Sequence, residues 1–130
     1  MADQRQTDDP IPADIQDFIV RHIDSVAQLE ALLLLRRNPG ADWTIERVAQ
    51  RLYADEQEIA DVLARLVADG LVRVTDAAYC YDCASAEQST VVDRLAEVYA
   101  RQLIPVTNMI HAKPRRIREF ADAFKFRKDR

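Results

Sequence analysis

The stretch from Trp43 to Cys83 constrains this chain more than any other, because it spells two short helices, a tight turn and a hairpin in close succession. Thr44 stands where an N-cap is needed, and Ile45, Val48, Ala49 and Leu52 follow at one-face helical spacing. Tyr53 and Ala54 make the turn. Asp55 caps the next helix, and Glu58 three residues on completes a capping-box-like pair. Ile59, Val62, Leu63, Leu66 and Val67 then form an apolar stripe that must be buried. Gly70 stops this helix, since glycine takes the left-handed conformation without steric cost. Two short strands are predicted at 71–75 and 78–81, around Asp76-Ala77.

The segments before and after this motif read as helices. Residues 1–11 form a polar lead expected to be disordered. A first helix is predicted from about Pro12 to His22, with Ile15, Phe18 and Ile19 on one side. Asp24 or Ser25 caps a second, through Val26, Leu29, Leu32, Leu33 and Leu35, which is apolar around most of its girth and so belongs at the centre of the core. Asn38-Pro39-Gly40 ends it. Trp43 is either a one-residue addition to the hairpin sheet or a packing residue ahead of the Thr44 cap. A long helical pattern from about Ser85 to Ala112 carries Val92, Ala96, Tyr99, Leu103, Val106 and Ile110 at near-heptad spacing. These six are the expected dimer interface. Pro105 predicts a kink or break there, because its ring meets the carbonyl of Arg101. A final helix is predicted from Pro114, with Ile117, Phe120, Ala121 and Phe124 on its apolar face.

A chain of 130 residues with only two glycines is most economically one mainly helical domain, 12–112, with a basic amphipathic helix or tail at 113–130. The longest apolar run, Ala31 to Leu35, is far short of the ~20 residues that span a bilayer. The N-terminal stretch lacks a hydrophobic signal core, and two cysteines are too few for a disulfide scaffold, so a reducing cytoplasm is expected. Charge is unevenly spread. Residues 1–112 hold 10 Lys+Arg against 19 Asp+Glu, and residues 113–130 hold 8 against 3.

In element order, and in the run Trp43 to Leu52 through Leu63-Ala-Arg-Leu-Val-Ala-Asp-Gly-Leu-Val-Arg-Val74, the chain resembles the MarR-like winged-helix transcription regulators. The resemblance covers residues ~12–112 and implies a winged helix-turn-helix that dimerises through its terminal helices. It also implies a recognition helix at 55–69, a wing at 71–82 and non-catalytic binding of duplex DNA. In this chain the wing is short, and neither it nor the recognition helix is basic.

The stripe geometry turns Gln57, Glu58, Asp61, Ala64, Arg65 and Ala68 outward, toward the major groove in such a family. Gln57 and Arg65 are the base-edge candidates, and Asp61, four residues before Arg65, is placed to pair with it. The acids of the first turn favour the positive helix end but oppose phosphate. Arg47, Arg51 and Arg73 are phosphate-contact candidates, as are Arg115, Arg116, Arg118, Lys125, Arg127 and Lys128 in the tail. Three roles are open to that tail: a solvated helix docked by its phenylalanines, a phosphate contact, or docking onto an acidic protein surface. Membrane binding is disfavoured by the acidic body.

Cys80 and Cys83 form a C-x-x-C spacing. On an extended strand, residues three apart point to opposite faces ~10 Å apart, which opposes a disulfide or metal role. His22 and His111 read as helix-end residues. No nucleophile with its base, paired carboxylate site or phosphate loop is legible, so neither an enzyme nor a bound metal or cofactor is expected. Two functions remain: a homodimeric DNA-binding regulator, or a winged helix used as a protein-interaction module whose acidic face takes a basic partner.

Overall fold

The computed structural model describes residues 10–112. The lead before Pro10 and the segment 113–130, with the helix expected from Pro114, lie outside the described residues. Within them the chain is mainly helical with one small antiparallel sheet. The order is α1 (Ala13–His22), α2 (Val26–Arg37), α3 (Ile45–Leu52), α4 (Glu56–Ala68), β1 (Val72–Thr75), β2 (Ala78–Tyr81) and α5 (Ala86–Arg101). A further helical segment, α6, covers 103–112. This order is compatible with a winged helix. No helix among the described residues is long and apolar enough to cross a membrane.

The centre is α2. Leu29, Ala31, Leu32, Leu33, Leu34 and Leu35 are all buried, which a helix achieves only when neighbours enclose most of its girth. α3, α4 and β2 pack against it, and α1 packs on α5. The α1–α2 corner closes through Gln28, itself buried. Its Nε2 donates to His22 O at 2.5 Å and its Oε1 accepts from Asp24 N at 2.8 Å. Ser25 Oγ accepts from Gln28 N, capping α2. Backbone groups that neither helix can use are thus satisfied inside the protein.

The two motif helices are bounded by matching devices. Thr44 caps α3 by accepting from Arg47 N, and Asp55 caps α4 by accepting from Gln57 N and Glu58 N. Each helix also ends in a Schellman pair. At α4, Gly70 N donates to Val67 O and Leu71 N to Leu66 O, both at 3.0 Å, with Gly70 at φ 77 and both leucines buried. At α3, Tyr53 N donates to Gln50 O at 3.4 Å and Ala54 N to Ala49 O at 2.9 Å. Here the left-handed position, φ 54, is filled by a tyrosine.

The hairpin pairs Val72 with Tyr81 and Thr75 with Ala78. Asp76 at φ 51 and Ala77 at φ 65 make a two-residue turn of the I′ type, whose handedness suits strand twist but strains an alanine. Trp43 joins the sheet edge as a bridge, accepting from Tyr79 N at 2.7 Å, and its ring is buried.

Two expectations need correction, and the break expected from Pro105 is found. Ile11 is not part of a disordered lead: it is buried in the core, and its carbonyl accepts from Gln16 Nε2 at 2.6 Å. The helix break falls at Gln102, three residues ahead of Pro105. Breaking there places the proline in the first turn of α6, where it needs no N–H partner, and Val106 N donates to Gln102 O to open the new helix. The break also redirects the near-heptad stripe. Val92, Tyr99, Val106 and Ile110 are buried within the single chain, alongside Leu95 and Val98, and Ala96 is half-buried at the margin. These residues are core, not a surface kept for a second copy. Leu103 at 50% and Ile104 at 62% are what stays exposed.

Ala77→Gly is expected to stabilise the fold by about 0.5–1 kcal/mol, the relief of left-handed strain less glycine's greater unfolded freedom. Thermal unfolding would show this as a rise of a few degrees in Tm. A fall in Tm would contradict the strained turn.

Candidate functional site

The solvent face of α4 is the obvious place for recognition, since Ile59, Val62, Leu63 and Leu66 commit the opposite face to the core. Gln57, Glu58, Asp61, Ala64, Arg65 and Ala68 are all exposed there. Their side chains are not all free. Gln57 Nε2 donates to Asp61 Oδ1 at 3.3 Å. Arg65 does not pair with Asp61. It reaches the other way, from Nη1 to Asp24 Oδ2 at 2.8 Å and from Nε to Asp69 Oδ2 at 3.2 Å. Asp69 Oδ2 also lies 3.1 Å from His22 Nδ1, so the network ties the end of α4 to the α1–α2 corner.

Spacing within α4 favoured Asp61 as the partner of Arg65, but Asp24 and Asp69 together hold the fork of the guanidinium from two sides. Asp24 stands 41 residues away in sequence, so no local pattern could have announced it. The consequence is electrostatic. Among the described residues the carboxylates of Glu56 and Glu58 take part in no hydrogen bond or ion pair, and the one cation of the exposed face is neutralised.

The turn before α4 contributes the most exposed large hydrophobic side chain among the described residues. Tyr53 is 97% accessible, an aromatic ring held out in solvent on a left-handed backbone. Its place was legible as a turn; its conformation was not, because Tyr rarely fills the position usually given to Gly or Asn. The Ala49-to-Ala54 spacing of the Schellman pair was the available signal.

The phosphate-contact candidates are scattered. Arg47 and Arg51 lie over the Trp43 ring, with guanidinium carbons 4.9 Å and 5.9 Å from its centre, and Arg47 Nη1 donates to Asp42 O at 2.6 Å. Neither is paired with a carboxylate among the described residues. Arg73 is paired, with Asp82 at 3.2 Å, and its Nη2 is 3.5 Å from Cys80 Sγ. Arg115, Arg116, Arg118, Lys125, Arg127 and Lys128 lie outside the described residues.

Cys80 is on β2, whereas Cys83 lies beyond its end and donates to Tyr81 Oη at 3.1 Å. Both thiols are free. Burial pushes the Cys83 thiol up from its ordinary value; burial and the Cys83 contact push Tyr81 up to about 12. A raised thiol holds less thiolate, the opposite of what nucleophilic or metal chemistry uses. Among the described residues no three His, Cys, Asp or Glu side chains form a group able to hold a metal ion. His22 ends α1, its ring 4.8 Å from that of Phe18, and His111 is exposed near the end of α6.

Comparison with protein-family models, curated proteins and solved structures finds no match.

At pH 8, iodoacetamide is expected to alkylate Cys83 several-fold more slowly in the native protein than in urea-unfolded chain, as read by peptide mass spectrometry. Equal rates would place the thiol in water.

Proposed function

We propose that the chain is a non-catalytic winged-helix module, similar to the MarR-like regulators in plan, whose α4 face docks a basic protein surface. The observation that carries this reading is the capture of Arg65 by Asp24 and Asp69, which leaves Glu56, Glu58 and Asp61 to set the sign of the face. A helix that reads duplex DNA works the other way, presenting Arg, Lys, Asn or Gln to base edges while cations nearby neutralise phosphates. Here the amide of Gln57 is spent on Asp61 and Arg73 on Asp82. A basic partner meets these carboxylates as complementary charge, which steers encounter and fixes register.

A second reading, a homodimeric regulator that binds duplex DNA, is favoured by one observation. Arg47 and Arg51 carry no carboxylate partner among the described residues and stand beside the motif, where backbone contact is possible. A homodimer under either reading would use Leu103 and Ile104, two adjacent apolar side chains at the α5–α6 break that stay exposed.

The two separate by anisotropy of fluorescein-labelled oligoarginine and of a labelled random-sequence duplex, at about 50 and 200 mM salt. A 1–112 chain is suitable beside the full one, because the buried core closes between Ile11 and Ile110. The docking reading expects the 1–112 chain to bind oligoarginine, with Glu58→Gln/Asp61→Asn weakening it roughly tenfold while improving what little duplex binding exists. Tight duplex binding by 1–112 that falls steeply with salt and is lost in Arg47→Ala/Arg51→Ala would instead establish the regulator.

A further inference from the structure

Sorting the charges of the described body by their partners leaves Glu56 and Glu58 among the acids without a counter-ion, and they are the ones that stand beside an open aromatic ring. Asp14 pairs with Arg94, Asp17 with Arg21, Asp93 with Arg36, Asp82 with Arg73, and Asp24 and Asp69 with Arg65. Five of the cations are thereby consumed, while Glu56 and Glu58 at the start of α4 have no counter-ion among the described residues. Beside them in sequence stands Tyr53, 97% accessible and held on a left-handed backbone, an aromatic face with nothing packed on it. Carboxylates next to an open aromatic ring suit guanidinium groups, which pair with the first and stack on the second.

The chain carries such a ligand itself. Residues 113–130 hold eight Lys and Arg, five of them Arg, and Phe120, Phe124 and Phe126 among them, against three acids. Resting on the docking reading above, we propose that this segment is the first occupant of the site: it docks in cis on Tyr53, Glu56, Glu58 and Asp61, and an external basic partner must displace it. Eighteen residues reach about 60 Å when extended, and a body of this size has a radius of gyration of about 13 Å, so the segment reaches any face of it. Tethering presents it at an effective concentration in the millimolar range, so individually weak exposed pairs suffice to hold it.

Zero-length cross-linking of the full chain tests this. Equal amounts of unlabelled and ¹⁵N-labelled protein are mixed, treated with a water-soluble carbodiimide and digested for mass spectrometry. The expected products join Lys125 or Lys128 to Glu56, Glu58 or Asp61, within chains of one isotope, and disappear at about 1 M salt, where the Debye length is ~3 Å. In parallel, oligoarginine is expected to bind the 1–112 chain at least about fivefold more tightly than the full chain. Mixed-isotope products, or links mainly to other carboxylates, overturn docking in cis. If both chains bind oligoarginine equally and the cross-links are absent, only the self-docked segment is wrong. Should neither chain bind oligoarginine, the docking reading falls with it.

Discussion

A helix that is apolar on nearly every side cannot rest on one neighbour, and α2 imposes that constraint on the whole chain. With six consecutive core positions from Leu29 to Leu35 interrupted only by Glu30, α2 needs cover from several directions at once. α3, α4 and β2 supply it on the motif side. Each buried leucine contributes about 1.5–3 kcal/mol relative to exposure, so the ring of elements around α2 holds much of the fold's driving force. The one polar residue within the leucine run is used too: Glu30 accepts from Tyr99 Oη at 2.6 Å, tying α2 to α5. Burial and the carboxylate together push the Tyr99 phenol well above its ordinary value, keeping it a donor.

The fixed geometry around α2 turns two chain reversals into determinants of the exposed surface. Both motif helices end in the same hydrogen-bond pattern, but one uses Gly70 and the other Tyr53. For a non-glycine residue this conformation costs roughly 1–2 kcal/mol, and the core that α3 and α4 share makes it tolerable. The side chain so placed cannot turn back toward the body, which is why a tyrosine ends up almost entirely in water.

Local chemistry made most of the elements legible. The caps at Ser25, Thr44 and Asp55, the stop at Gly70 and the inward stripe of α4 all stand where residue type and spacing place them. What escaped was non-local. The near-heptad run from Val92 to Ile110 had the period of an interface, yet period alone does not say which surface covers a stripe. Breaking the helix at Gln102 let α5 and α6 bury Val92, Tyr99, Val106 and Ile110 of that stripe within the chain, and the buried face of α5 is centred on Leu95 and Val98 rather than Ala96. Likewise the outward direction of Arg65 was legible, while Asp24, the partner brought in by the α1–α2 corner, was not. Elements and faces follow from short-range pattern; the electrostatics of a face depends on what tertiary structure brings against it.

That dependence decides how the α4 face weighs against DNA. Pulling Arg65 into a groove would gain about 1–3 kcal/mol from a good bidentate base contact. It would forfeit two half-exposed ion pairs, together worth up to ~2 kcal/mol. Glu58 and Asp61 would meanwhile meet phosphates, each at a cost of ~0.7 kcal/mol for a separation near 6 Å in a water-like dielectric. The sum is close to zero, which favours the docking reading proposed above over base recognition by Arg65. Against a cationic protein surface the same three terms keep Arg65 where it is and turn both carboxylates into attraction. On the proposed docking reading, the face would gain from a basic partner while keeping the Arg65 pairs.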